Sequence, residues 1–178
     1  ELEAENNKFF KPIIGCEMYV AHRNKEQKEG EDQGGYHLIV LAKNAKGYYN
    51  LVKLVSRAAT DGFYYKPRTD RKDLEKYHEG LIVSSACLGG EVPRKIRAGR
   101  LDEAEEAIQW YHNLFGDDYY LELQRHKATV EHANHETYPL QQIVNRQLIE
   151  YSKKLGIKLI CTNDVHFVNE EDAEAHDR

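Results

Sequence analysis

The chain has 178 residues and a formal net charge of -5, with 25 lysines and arginines against 30 aspartates and glutamates. This length is sufficient for one domain with a hydrophobic core, and the acidic balance argues against nucleic-acid binding through a general positive field, although a local basic groove stays open. No apolar run approaches the roughly 20 residues that span a bilayer, so no membrane association is expected. The three cysteines form no CxxC pair, which favours a reducing, cytoplasmic setting over a disulfide framework or a zinc ribbon.

Strand and helix patterns alternate along the first half of the chain. Residues 1–10 are typical of a helix end, and KPIIGCEMYVA (11–21) and YHLIVLA (36–42) are predicted strands on either side of a polar, flexible surface loop over 21–35. Asn44 and Asp70 are predicted N-caps for helices over 45–59 and 71–77, and GLIVSSA (80–86) is the third strand. The apolar stripe predicted for the helix after Asn44 consists of Tyr48, Leu51, Val52, Leu54 and Val55.

The second half continues the alternation. Gly89-Gly90 introduces a short helix to Ile96, and YYLELQRH (119–126) and IKLICT (157–162) are strands. Further helices are predicted over 101–115, from Thr137 to about Leu155, and after Asn169, the first of them with Leu101, Ala104, Ile108, Tyr111 and Leu114 along one side. This order predicts an α/β fold with a mostly parallel sheet, open or closed into a barrel, whose chemistry lies at the C-terminal ends of the strands.

Polar side chains with metal-binding chemistry lie in or beside the predicted strands. They are Glu17, His37, Cys87, Asp164 and His166, with Glu122, Gln124 and His126 alternating along one further strand. Asp164 and His166 are two residues apart in extended chain and therefore share a face. Carboxylate, imidazole and thiol groups together are the ligands of zinc, manganese or iron.

Other roles for these residues stay open at this point. Asp164 and His166 are equally suited to acid–base chemistry or to a mutual hydrogen bond, and Cys87 alone is typical of a small buried hydrophobic residue. Glu122 has Arg125 as a nearby ion-pair partner. The trio His126, His132 and His135 resembles a small metal site, but no cysteine or carboxylate pattern completes it, which favours a solvated polar loop.

Several longer motifs, taken together, closely resemble one family. They are KPIIGCEMYVA, YHLIVLAKN followed by GYYNLVKLVS, GFYYKPR, GLIVSSACLGGE, FGDDYYLELQRH and CTNDVHFVNEEDAEAHD. They resemble, in order and across nearly the whole chain, the PHP (polymerase and histidinol phosphatase) domain of the bacterial DNA polymerase III alpha subunit. The resemblance implies a distorted seven-stranded (β/α)7 barrel with a three-metal cluster at the strand ends. It also implies metal-ligand roles for Glu17, His37, Cys87, Asp164 and His166, and makes Glu122 and His126 neighbours of the site.

The chain departs from the family pattern in one large respect. An HxH motif and a D-H turn are expected before the strand that carries Glu17, and the polymerase domains are expected after the PHP domain, yet residues 1–178 contain none of them. The resemblance therefore implies one partial PHP domain, an incomplete barrel of the PHP type, that is inactive alone. A barrel lacking strands exposes a sheet edge, so self-association is also expected.

The resemblance implies a role within a DNA-directed DNA polymerase, a nucleotidyltransferase that uses magnesium. The PHP site itself is expected to bind zinc, manganese or iron and to act as a phosphoesterase or 3′–5′ exonuclease in the intact parent, with DNA and other replisome subunits as partners. Two alternatives stay open: a non-catalytic module that stabilises the polymerase, and a stand-alone metal-dependent phosphatase. GFYYKPR and CLGGE match the polymerase branch and argue against the second alternative.

Two local groups of basic residues interrupt the acidic balance. The first contains Arg68, Arg71 and Lys72, and the second contains Arg94, Lys95, Arg97 and Arg100. Contacts with DNA or with the polymerase body are one interpretation, and a solvated charged surface is the other.

Overall fold

A mixed six-stranded sheet forms the centre of the computed structural model, which describes residues 11–129 and 135–169 together with Asp172 and Ala175. The strands are β1 Gly15–Val20, β2 Tyr36–Ala42, β3 Arg68–Thr69, β4 Leu81–Ser84, β5 Tyr119–Gln124 and β6 Lys158–Thr162. The helices are α1 Ala45–Thr60, α2 Arg71–Tyr77, α3 Glu91–Arg97, α4 Leu101–Phe115 and α5 Thr137–Leu155. The helix end expected over 1–10 lies outside the described residues, as do most residues of the helix expected after Asn169.

The strand order is β3-β1-β2-β4-β5-β6. β2 runs antiparallel to β1 and β4, and every other neighbouring pair is parallel. The sheet is therefore parallel except for one reversed strand, and the α/β class predicted from the sequence is confirmed. Within the described residues the sheet ends at β3 and β6, so closure into a barrel stays a prediction.

The two faces of the sheet have different environments because side chains alternate along each strand. One face carries the core residues Met18, Val20, Leu38, Val40, Val83 and Leu121, which pack with Leu54, Ile108 and Leu148 of the helices. The opposite face, which we call the polar face, carries Glu17, Tyr19, His37, Ile39, Ser84, Tyr120, Glu122 and Gln124. A cavity of about 330 Å³ lies on the polar face between Ile39, Glu122 and Asp164.

Helix α1 packs on the sheet by a different stripe from the predicted one. Leu51 and Leu54 are buried, whereas Tyr48, Val52 and Val55 are at least 40% exposed. The reason is the close approach of Gly47 to Gly80, where a Cβ on Gly47 would lie 1.7 Å from the Gly80 carbonyl oxygen. This contact turns residues 47, 50, 51, 54 and 58 towards the core. Helix α4 likewise buries Ala104, Ile108 and Tyr111 as predicted but leaves Leu101 exposed.

The segment over 21–35 is more closely attached to the fold than its polar composition indicates. Gly30–Asp32 form a 3-10 helix, and Lys25 and Asp32 are buried. The Arg68 guanidinium, which is fully buried, donates hydrogen bonds to backbone carbonyls of this segment and of the α1–β3 connection, namely those of Lys25, Gln27, Asp32 and Gly62. The flexibility of this segment stays a prediction. No helix among the described residues is long and apolar enough to cross a membrane.

Candidate metal centre

The side chains predicted as metal ligands meet at one edge of the sheet. Five strands share one direction, so their C-terminal ends lie at the same edge, where the reversed strand β2 begins. His37 is the second residue of β2, Cys87 lies three residues beyond β4, and Asp164 and His166 follow β6. Glu17 lies inside β1 on the polar face and completes the group.

Glu17, His37 and Cys87 form the first cluster. The Glu17 carboxylate oxygen lies 2.7 Å from Nδ1 of His37, and the Cys87 sulfur lies 3.4 Å from the same nitrogen. The sulfur is 4.0 Å from the Glu17 oxygen. The ring of Tyr19 contacts the His37 imidazole edge to face, with centroids 5.1 Å apart. Three different ligand types therefore converge on one small volume.

The turn after β4 brings Cys87 to this position. Ala86 has a left-handed backbone, with φ of 60°, which is uncommon for a residue other than glycine and is typical of functional sites. The backbone N–H of Gly89 points at the Cys87 sulfur at 3.4 Å, and the Gly89 carbonyl accepts a hydrogen bond from the His37 backbone N–H at 3.0 Å. A Cβ on Gly89 would lie 2.9 Å from the His37 ring, so only glycine fits here without moving the imidazole.

Asp164 and His166 form the second cluster, again with Glu17. One ligand atom from each of these three residues lies within 4.8 Å of the other two, as holds for the first cluster. Bonds of about 2.0–2.3 Å to zinc place neighbouring ligand atoms roughly 3–4 Å apart. The donor sets of both clusters suit a divalent ion and lie within 4.8 Å, but Glu17 and His37 would have to separate from their 2.7 Å contact to share one. Glu17 belongs to both clusters, and a carboxylate has two oxygens with which to serve both.

The local charges change two pKa values in the first cluster. Contact with the Cys87 sulfur, and then with the Glu17 carboxylate, raises the pKa of His37 to about 9. The hydrogen bond from His37 lowers the pKa of Glu17, helped by the positive charge of a protonated His37 or His166. Without a metal ion, His37 is therefore protonated at neutral pH and Glu17 is ionised. Metal ligation through Nδ1 of His37 requires the loss of that proton.

Glu122 lies deeper on the polar face, as expected of a neighbour of the site. Its carboxylate is buried and accepts hydrogen bonds from the hydroxyls of Ser84 and Thr162 and from the amide of Gln124, the last at 2.9 Å. Its alternative partner Arg125 instead bonds the Tyr138 hydroxyl. Neutral donors thus satisfy Glu122 below the two clusters.

His126 contacts the second cluster directly. Its Nε2 lies 3.1 Å from the backbone nitrogen of Asp164, and Gln141 of α5 lies on its other side. The sequence analysis missed Gln141. A signal was present, because Gln141 is the polar member of an otherwise apolar buried stripe, with Val144, Leu148 and Tyr151, at helical spacing. The trio proposed with His132 cannot be described, since His132 lies outside the described residues.

The structure separates the basic residues into different environments. Arg68 is fully buried, so the prediction of a surface contact for it is wrong. Its guanidinium donates hydrogen bonds to backbone carbonyls instead. Arg71 bonds the buried Glu91 at 2.9 Å and lies over the Trp110 ring. Lys72 and Arg97 are exposed, while Arg94 is half-buried over Tyr36.

The family model for the PHP domain matches residues 2–126. The chain belongs to the PHP domain family. This PHP domain is also 51% identical over 169 residues to the DNA polymerase III subunit alpha of Borreliella burgdorferi, and 44% identical over 170 residues to that of Thermus aquaticus. Each alignment covers 94% of this PHP domain but only 14% and 13% of the respective relatives, so the chain spans a small part of their length. The resemblance drawn from the sequence is confirmed.

Proposed function

We propose that this PHP domain holds divalent metal ions and belongs to a DNA polymerase III alpha subunit, where it forms a phosphoesterase site of the 3′–5′ exonuclease type. The proposed ligands are Glu17, His37, Cys87, Asp164 and His166. The observation that carries the proposal is the convergence of these residues into two clusters that share Glu17. The thiol and imidazole ligands favour zinc, iron or manganese over magnesium at this site. Magnesium is expected at the polymerase active site of the longer protein.

The protonation states of the proposed ligands decide how they bind a metal ion. Divalent ions held by Glu17, His37, Cys87, Asp164 and His166 would supply Lewis-acid chemistry for hydrolysis of a phosphodiester. Glu17 supplies negative charge at neutral pH, and the hydrogen bond from His37 lowers its pKa so that the charge persists at more acidic pH. His37 releases its proton on ligation, so ligation is favoured as the pH rises towards its pKa of about 9. Glu122 accepts hydrogen bonds from Ser84 and Gln124 and places a buried carboxylate on the polar face next to the proposed site.

The fold proposal is that strands outside this chain complete a distorted PHP-type barrel. The apolar residues on this face support the proposal. Around the 330 Å³ cavity lie Ile39, Leu41, Ile82 and Ile160, whose apolar surface further strands would bury. In the longer protein the partners would be DNA and replisome subunits in the cytoplasm. Alone, the partial domain is expected to be inactive and to associate through its sheet edges, which light scattering over a range of concentrations would detect.

The direct test compares the full-length protein with its Asp164→Ala variant. Plasma mass spectrometry after dialysis should find bound zinc, manganese or iron in the wild type and less in the variant. A 3′-labelled single strand should lose nucleotides with the wild type only. A polymerase assay on the same samples serves as the control for folding, because Asp164 lies outside the polymerase site. Metal-free wild-type protein at neutral pH would refute the proposal.

One observation favours a second candidate function, a non-catalytic module that stabilises the polymerase. Glu17, His37 and Cys87 already satisfy one another through hydrogen bonds, so the first cluster is a stable arrangement without an ion. A non-catalytic module predicts that the Asp164→Ala variant keeps the thermal stability and polymerase activity of the wild type, with nuclease activity absent from both proteins.

A further inference from the structure

A chain of polar contacts joins helix α5 to the second metal cluster. Gln141 is 3% exposed, and its Oε1 accepts a hydrogen bond from the backbone N–H of His126 at 2.6 Å. Its amide nitrogen lies 2.7 Å from Nδ1 of the His126 ring. On the far side of that ring, Nε2 lies 3.1 Å from the backbone nitrogen of Asp164. We propose that Gln141 and His126 are positioning residues that fix the Asp164–His166 segment for metal binding. This inference rests on the proposed function.

The position of these contacts in the sheet explains why the segment needs them. The β5–β6 pairing ends at Gln124 and Thr162. His126 and Asp164 each lie two residues further along, where the backbone ladder has stopped. The His126 ring spans the gap that a ladder hydrogen bond would otherwise close. The Asp164 backbone, which follows β6, is therefore held to β5 through the His126 imidazole and, beyond it, to a buried residue of α5.

The contacts among Gln141, His126 and Asp164 contain one more hydrogen-bond donor than the acceptors can satisfy. A backbone N–H cannot change roles, so the Asp164 N–H requires a lone pair on Nε2 of His126. A neutral imidazole then carries its proton on Nδ1, which must donate towards Gln141. The His126 backbone N–H also donates towards Gln141. In either orientation of the Gln141 amide, one of these donors faces its NH₂ group. Two acceptor atoms at position 141 would satisfy both His126 donors, the backbone N–H and Nδ1–H. A carboxylate provides two acceptors.

The test uses the full-length protein with three single variants. Gln141→Leu removes the acceptor, Gln141→Glu replaces the amide by two acceptors, and Gln142→Leu makes the same change at the exposed neighbouring position. One readout is hydrogen exchange at residues 163–167 with metal removed by a chelator. The other is zinc affinity from calorimetric titration. Where Gln141→Leu folds poorly, His126→Leu at a half-buried position removes the acceptor of the Asp164 N–H directly and should speed exchange at Asp164 in the same way.

We expect Gln141→Leu to exchange faster at Asp164 and to bind zinc roughly 10- to 100-fold more weakly, the range measured for outer-shell partners of metal ligands. Gln141→Glu should protect the Asp164 N–H and bind zinc at least as well as the wild type, and Gln142→Leu should match the wild type in both readouts. Wild-type exchange in Gln141→Leu would overturn the inference, as would losses in Gln141→Glu equal to those in Gln141→Leu. A wild type that binds none of zinc, manganese and iron, but whose Asp164 exchange still depends on Gln141, would refute the proposed function and leave the positioning of the Asp164 segment standing.

Discussion

The carboxylate of Glu17 lies 2.7 Å from the imidazole of His37 across two antiparallel strands, with the Cys87 sulfur 3.4 Å from the same ring nitrogen. Residues separated by 70 positions in the chain thus share one proton-dependent cluster. This arrangement links the acid–base state of the cluster to the stability of the fold and to the proposed metal binding.

The stability of the metal-free protein should depend on pH through this cluster. His37 has its pKa raised from 6.5 to about 9, so its contribution is complete below pH 6.5 and is lost as the pH rises to 9. Glu17 has its pKa lowered from 4.5, so its contribution is present above pH 4.5 and is lost as the pH falls below that value. Urea unfolding in a chelator should show the largest stability difference between wild type and His37→Asn from about pH 4.5 to 6.5. A difference that does not shrink by pH 9 would contradict this prediction.

Replacing Gly89 should disturb the site without touching a ligand. An added Cβ lies 2.9 Å from the His37 ring, which has to move, and the Glu17–His37–Cys87 geometry moves with it. We expect Gly89→Ala to bind zinc at least about tenfold more weakly, comparable to the loss of an outer-shell contact. The matched control is Gly30→Ala, because no atom lies within 4 Å of a Cβ at Gly30. Calorimetric titration of both variants measures the effect, and equal affinities would show that the turn tolerates a side chain.

Arg68 should behave as a structural residue. Arg68→Met leaves four backbone carbonyls without their charged donor, and hydrogen bonds to charged groups contribute about 1.5–3 kcal/mol each. We expect the free energy of unfolding to fall by at least about 3 kcal/mol, as measured by chemical denaturation. Arg97→Met, at an exposed position, should change it by less than about 0.5 kcal/mol. Similar values for both variants would remove the structural role of Arg68.

The exposed basic residues Lys72 and Arg97 are the remaining candidates for DNA contact. Each phosphate contact that is lost should weaken binding and reduce the slope of log affinity against log salt by about one. Lys72→Glu and Arg97→Glu in the full-length protein should therefore bind DNA more weakly with a flatter salt dependence. Fluorescence anisotropy at several salt concentrations measures the slope. Slopes equal to that of the wild type would assign these charges to solvated surface.

The sequence predicted most elements, and it singled out the side chains that the structure brings together, because these signals are local. Strand alternation, the Asn44 and Asp70 caps and the metal-binding residue types at strand ends all depend on near neighbours in the chain. The predictions failed where contacts with distant residues determine which side chains are buried. Gly47 against Gly80 rotates α1, carbonyls from two separate segments surround the Arg68 guanidinium, and Gln141 meets His126 only when α5 packs beside β5. Most of these partners are distant in sequence, as are Asp32 and Arg68, which are 36 residues apart.

The shared position of Glu17 provides the most direct measurement. Zinc titration calorimetry of the full-length wild type should be compared with Glu17→Gln, His37→Gln and His166→Gln, each of which keeps a polar side chain of similar size. If both clusters hold metal through Glu17, Glu17→Gln should weaken binding at both, while His37→Gln and His166→Gln should each weaken one. Wild-type stoichiometry and affinity in Glu17→Gln would contradict the proposed metal centre.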